Sequence, residues 1–398
     1  MRVLPAFLLL FPLGLGAQAA RPVSRVDAIA AALARGPRVA EARADSAAAR
    51  GELGAARAFP NPAASATYTK AVPRYHYLVD LPLDWPWVRA PRVGAARAGA
   101  DAAGARYAFE RAAAAFDADT AYTAALAATA HARLSRRTAQ DADSLLRVAR
   151  VRRDAGDASE MDARLAEINA GELANAAADD SLAAQAAIVS LQLVMGLPGD
   201  APAIILTDTL SLPDTASVAP PPEPLAVTEA RSELRAAESV LSLERSANIP
   251  APAVQLGVER GDPTGAEPGA LPTFGISLPL PLFSWNGGGI ARARADRDRA
   301  AARLDAVRQG AAAEHLRAVG ERTVALARAR RDAGLVASAD SVAAMFLQAY
   351  AEGAVSLPEV LEAQRNAREM LGRYVDDLAL ANTAAGLVRL LDTPESEP

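Results

Sequence analysis

The chain has no cysteine, a single lysine, three histidines and few aromatic residues. Without cysteine there is no disulfide, no thiolate metal site, no cysteine nucleophile and no lipid anchor on an N-terminal cysteine. Lys70 is the only lysine, so arginine supplies nearly all the positive charge. The net charge is −5 and no basic block stands out, so nucleic acid is not an expected partner. Aromatics make up 5% of the residues, unlike an enzyme whose centre is filled with large side chains. His76, His131 and His315 are scattered, with no metal-ligand spacing. Gly287-Gly288-Gly289 is not followed by the Lys-Ser/Thr of a phosphate loop. No catalytic residue, cofactor or metal is therefore expected. Beyond the first twenty residues there is no 18-residue apolar run. That excludes a membrane-crossing helix there but not membrane strands, whose signal is weaker.

Alanine is what the chain has in excess, at about a quarter of its residues. Alanine is the best helix former because it loses no side-chain entropy. A chain rich in Ala, Leu, Arg and Glu should be mostly helix, with close packing and a thin core. The first residues read as a secretory signal. Arg2 is the charged region, residues 3–15 are apolar, and Ala17-Gln18-Ala19 is a small-x-small cleavage pattern. Residues 1–19 are expected to be removed.

An internal repeat organises the remainder. Leu81-Pro82-Leu83 recurs as Leu278-Pro279-Leu280, an offset of 197 residues. At the same offset Arg97 matches Arg294, Asp101 matches Asp298, and Gly156-x-x-Ser159-x-x-Asp162 matches Gly353-x-x-Ser356-x-x-Glu359. Upstream, Phe59-Pro60-Asn61-Pro62 corresponds to Ile249-Pro250-Ala251-Pro252 at a shorter offset. The expected division is a first repeat over 20–200, a Pro-rich linker over 201–224 and a second repeat over 225–392. The linker carries Pro220-Pro221-Pro222 and should be a semi-rigid spacer.

Each repeat has the same predicted order. In the first, a helix runs from about Val26 to Arg57 with Ser24 as N-cap, and Pro60 and Pro62 end it. Two short alternating segments follow. A long helix then runs from about Arg92 to Asp154, breaks at Gly156, and gives way to a helix from about Ser159 to Met195. In the second, the alternating segments lie near 253–260 and 272–283. The long helix runs from about Ile290 to Glu352, breaks at Gly353, and a last helix ends near Leu391. About 60 residues of helix span about 90 Å, a length suited to a coiled coil or helical tube rather than a globular domain.

The alternating segments carry the membrane signal. Val254, Leu256 and Val258 alternate with Gln255 and Glu259, and Phe274, Ile276 and Leu278 alternate with Thr273, Gly275 and Ser277. The first predicts a lipid-facing side of Val254, Leu256 and Val258 and a lumenal side of Gln255 and Glu259. Trp85, Trp87, Phe283 and Trp285 lie just past the strands, where interfacial aromatics belong. Two isolated hairpins would leave their edges unpaired, which closure across several chains would cure. Glu359 and Glu362 share a helix face. They are either a functional carboxylate pair or an acidic first turn that suits the helix dipole.

These residues resemble the TolC-like outer membrane efflux proteins. The likeness rests on Phe59-Pro60-Asn61-Pro62, on Leu278-Pro279-Leu280-Pro281-Leu282-Phe283 before Gly287, and above all on Tyr350-x-x-Gly353-x-x-Ser356-x-x-Glu359-Val360-Leu361-Glu362-Ala363-Gln364. The resemblance implies a mostly α fold with a small β membrane part. Antiparallel coiled-coil helices form an α-barrel, and each chain of a homotrimer gives four strands to a 12-stranded β-barrel. It implies a non-enzymatic outer membrane channel with a long periplasmic extension, a passive conduit in a tripartite efflux or type I export system. Its partners would be a periplasmic adaptor (membrane fusion protein), an inner-membrane transporter and outer membrane lipid. Glu359 and Glu362 would ring the periplasmic entrance. Tyr350 and Asp162 would be latch residues, and Gly156, Ser159, Gly353 and Ser356 would form the turns at the tip. Val355 stands where the family's latch uses an arginine. The alternatives are a periplasmic adaptor, which would not repeat, or a coiled-coil structural protein of the envelope, which would lack alternating strands.

Overall fold

The computed structural model describes residues 21–213, 223–261 and 269–393. The expected signal peptide and residues 214–222 of the Pro-rich linker lie outside the described residues. The elements run β1 (Arg21–Val23), α1 (Arg25–Arg35), α2 (Pro37–Arg57), β2 (Ala63–Tyr68), β3 (Tyr75–Pro82), α3 (Pro86–Asp154), α4 (Glu160–Val194), β4 (Ile204–Leu206), α5 (Leu225–Ser246), β5 (Ala253–Arg260), β6 (Ala270–Ser277), α6 (Gly287–Ala351) and α7 (Leu357–Leu391). The same order of helix, two strands, long helix, helix occurs twice.

The long helices α3 and α6 hold 69 and 65 residues, or about 104 and 98 Å at 1.5 Å per residue. Each folds back on a 35-residue partner, α4 or α7. The two hairpins touch along α3 and α7. More than half of the buried apolar side chains are alanines, so the helices approach closely and the core is thin. One larger core joins Val23, Tyr122, Leu191, Met195 and Ile204. It lies where β1 pairs in parallel with β4, residue for residue from Arg21↔Ile204 to Val23↔Leu206.

Several boundaries depart from expectation. The first helix is two helices, because Gly36 leaves the helical conformation and Pro37 starts α2 without needing a hydrogen bond for its nitrogen. Gly36 is also packed so tightly that a Cβ would lie 2.3 Å from the Ala32 carbonyl oxygen. Helix α3 starts at Pro86, earlier than Arg92, so Trp87 belongs to the helix. Strand β6 ends at Ser277 instead of reaching residue 283, since Pro279 and Pro281 cannot donate to a ladder. The β1–β4 pair was not foreseen, three residues being too short for a periodic signal.

Strands β2, β3, β5 and β6 form one antiparallel sheet in the order β2-β3-β5-β6. The second neighbour of β3 is β5, from the other repeat, so the sheet joins the two halves. Its outer strands, β2 and β6, each have one unpaired edge.

Candidate channel elements: the helical tip and the membrane sheet

The tip is built twice from the same local chemistry. Gly156 and Gly353 have φ of 84° and 80°, a left-handed conformation that costs glycine little. Each ends its helix with a paired hydrogen-bond closure. Asp157 N–H donates to Arg152 O at 2.8 Å and Gly156 N–H to Arg153 O at 2.9 Å. Ala354 N–H donates to Ala349 O at 2.8 Å and Gly353 N–H to Tyr350 O at 3.0 Å. These bonds satisfy carbonyls that a helix end leaves open. Three residues on, Ser159 and Ser356 are N-caps with nearly identical backbone angles, and each forms a reciprocal capping box, with Asp162 and with Glu359. The repeated Gly-x-x-Ser-x-x-Asp/Glu motif is thus the covalent code for one helix stop and one helix start.

This explains part of what Asp162 and Glu359 do. Ser159 N–H donates to Asp162 Oδ2 at 3.1 Å, and Ser356 N–H donates to Glu359 Oε2 at 2.7 Å. The backbone N–H and hydroxyl of Ser356 hold the Glu359 carboxyl below the usual carboxylate range. Glu362, one turn on, is exposed and lies 3.9 Å from Arg365. Both glutamates edge an open groove of about 860 Å³ between α6 and α7, whose walls include Leu335, Val342, Phe346 and Met370.

Tyr350 sits inside the tip core with Leu145, Leu146, Ala166, Leu357 and Val360. Burial raises its phenol above the ordinary value, and the nearby Asp162 charge adds to the rise. Its hydroxyl is buried with no partner among the described residues, so it makes no hydrogen bond to Asp162. The residue that binds this turn is Arg152. Its guanidinium lies 4.7 Å from the Tyr350 ring centroid, donates to Tyr350 O at 2.7 Å and donates to Asp157 O at 3.1 Å. Arg152 has no counterpart at the repeat offset, where Ala349 stands, so the repeat gave no signal for it. Val355 packs against the same core.

The sheet has two chemically distinct faces. Rows across it place Ala64, Val79, Leu256 and Phe274 together, then Ala66, Tyr77, Val258 and Pro272, then Leu81, Val254 and Ile276. This face is apolar and largely exposed. The other face is mainly polar and carries Ser65, Thr67, His76, Asp80, Gln255, Glu259 and Thr273, with Leu78 and Leu271 among them. There Gln255 Nε2 donates to Asp80 Oδ1 at 2.6 Å, and His76 Nδ1 lies 3.2 Å from Glu259 Oε1. Val254, Leu256 and Val258 thus share one face of the sheet, and Gln255 and Glu259 share the other, as the alternation predicts. Among the described residues no helix is long and apolar enough to cross a membrane.

The family model for outer membrane efflux proteins matches residues 224–391, the second repeat. That match places the second repeat in the outer membrane efflux protein family. The first repeat, which that model does not match, has the same elements in the same order. Among solved structures, a membrane protein from Pseudomonas aeruginosa is 21% identical, with a TM-score of 0.79, and the match covers 92% of this chain and 93% of that one. The outer membrane protein VceC from Vibrio cholerae is 19% identical at a TM-score of 0.75, covering 94% and 97%. The CmeC outer membrane channel of Campylobacter jejuni is 14% identical at 0.79, covering 94% and 87%. No curated protein sequence matches.

Proposed function

We propose that three copies of this chain form a channel in the outer membrane, a passive conduit for a tripartite efflux or type I export system. The observation that carries this reading is the sheet. It has one continuous apolar face, one mainly polar face and two free edges, on β2 and β6. In a bilayer no edge can stay unpaired. Pairing β6 of one copy with β2 of the next closes a 12-stranded barrel with the polar face as its lumen. The helices supply further support. Helix α4 exposes Met161, Leu165, Ile168, Leu182, Val189 and Leu193, which follow a 3.5-residue repeat. The groove between α6 and α7 is apolar and open, and takes that stripe from a neighbouring copy.

In this assembly the helices project into the periplasm, where an adaptor and an inner-membrane transporter meet the tip. Glu359 and Glu362 from three chains crowd at the entrance and favour cations, as acidic rings do. Tyr350 and Asp162 act with Arg152 to hold the two hairpins together at the closed tip. Detergent extraction and native mass measurement test the assembly: an outer membrane trimer is expected, and a soluble monomer released by osmotic shock would refute it. Planar-bilayer recording tests the ring. Glu359→Gln with Glu362→Gln should lower cation preference and weaken block by trivalent cations. Unchanged selectivity and block would leave these residues as a cap and a solvated face.

A further inference from the structure

The sheet is too short to span the apolar core of an outer membrane. Strands β3, β5 and β6 have eight residues each, about 26 Å of chain at 3.3 Å per residue. Tilted as barrel strands are, they cover about 20 Å of an apolar band about 25 Å tall. The shortfall falls at one end or the other, and the two ends differ. At the turn end, the outward row is Tyr68, Tyr75 and Arg260, an aromatic and cationic border. At the helix end, β6 runs into Leu278-Pro279-Leu280-Pro281-Leu282-Phe283-Ser284-Trp285.

This tract keeps the outward alternation of β6 after the ladder has stopped. Phe274 and Ile276 are outward on the strand. Leu278, Leu280 and Leu282 follow at the same spacing, and Leu280 and Leu282 are 61% and 70% exposed. Phe283 is 99% exposed and Trp285 65%. Beyond Trp285 the chain turns polar at once, with Asn286 bonded to Glu244 and an exposed Arg292 in the first turns of α6. The two prolines remove two N–H donors that lipid could not satisfy.

The equivalent tract of the first repeat is closed off. After Leu83 comes Asp84, 1% exposed and held by Arg89 at 2.7 Å and Arg92 at 2.9 Å. Trp85 and Trp87 stack at 4.8 Å and donate their indole N–H groups to Pro252 O and Pro250 O. One junction is anchored by ions and hydrogen bonds, while the other leaves its apolar side chains uncovered.

We infer that Leu278–Trp285 is a lipid-binding extension of the barrel wall, lying among the acyl chains of the leaflet nearer the helices and completing the apolar band that the strands leave short. The occupant is phospholipid acyl chain because the tract continues the lipid-facing row of the sheet, has the missing length, and ends on an indole, the usual border residue of a membrane. The inference rests on the proposed outer membrane barrel, and its test separates the two.

The test uses brominated phosphatidylcholine vesicles containing the full-length trimer. Emission from Trp285 is the difference between the native chain and Trp285→Phe, a conservative change at an exposed site. Bromine on the acyl chains is expected to quench that difference. A reporter on the strand, Phe274→Trp in the Trp285→Phe chain, should be quenched as well. If the Phe274→Trp emission is lost and the Trp285 emission is not, the sheet lies in lipid but the tract is covered, for instance by a second copy, and the inference fails. If neither is quenched, the sheet is not in lipid, and the proposed function fails with it.

Discussion

The two repeats agree at one end and disagree at the other. At the tip their turns are nearly superimposable, with glycine φ angles of 84° and 80° and a capping box after each. At the junction of sheet and helix the first repeat is clamped through Asp84 and the second is apolar and open. Agreement at the tip shows that both hairpins must turn sharply in few residues, a task that backbone chemistry alone dictates. At the junction the two segments have different partners within the chain: one is closed by ion pairs and indole hydrogen bonds, the other is left open.

The sheet offers the largest test of this contrast between constrained and free positions. Leu256→Arg puts a charge in the middle of the apolar row and should cost roughly 2–4 kcal/mol of barrel stability, read by the denaturant midpoint in detergent or bilayer. Gln255→Arg, on the opposite face beside Asp80, should leave folding intact and shift ion selectivity. Equal damage from the two would mean that the faces are not lipid and lumen.

Next in size is the clamp of the first junction. Asp84→Ala removes a buried carboxylate and leaves Arg89 and Arg92 without their partner. Because both arginines are about one-third exposed, water softens the loss, and about 2 kcal/mol is expected rather than the larger cost of breaking a fully buried pair. The matching change in the second repeat, Pro281→Ala, touches no ion pair and should be near neutral. Thermal unfolding of the two variants side by side measures the asymmetry directly.

Much of this was readable from the sequence because it rests on short-range chemistry. The Gly-x-x-Ser-x-x-Asp/Glu turns, the ends of the long helices and the two faces of β5 follow from residue types at fixed spacing. The break at Gly36-Pro37 was also available, since glycine followed by proline is a stop and a start, but the apolar pattern on both sides suggested one helix. The extent of β6 was misjudged because Leu278, Leu280 and Leu282 continue the alternation of a strand that the intervening prolines cannot extend. Arg152 was not legible at all. It acts on Tyr350, 198 positions away, through a contact that only the packed hairpins create. The sharing of one sheet by both repeats, with β3 against β5, was likewise a product of assembly rather than of local pattern.

The smallest expected effects lie at the tip, where they separate the two roles of Glu359. Ser159→Ala and Ser356→Ala each remove one cap and should each cost about 1 kcal/mol, similar in the two repeats because the geometry is the same. Glu359→Gln behaves differently. Glutamine can still reach back to the Ser356 N–H, so the box survives, while the charge is lost. Stability should therefore change less than in Ser356→Ala, whereas cation preference should fall. Acid gives an independent reading. The Glu359 carboxyl is held below its ordinary value of 4.5 by hydrogen bonds that only the folded tip provides. Folding then favours the ionised form. Its contribution is present above pH 4.5 and declines as the pH drops through the lower folded-state value. The native second hairpin should loosen at its tip over that range, as seen by amide exchange of residues 356–360, and Glu359→Gln should remove the pH dependence without removing the turn. If exchange in the native chain and in Glu359→Gln follows the same pH course, the cap does not depend on this carboxylate, and its charge is free to serve the entrance alone.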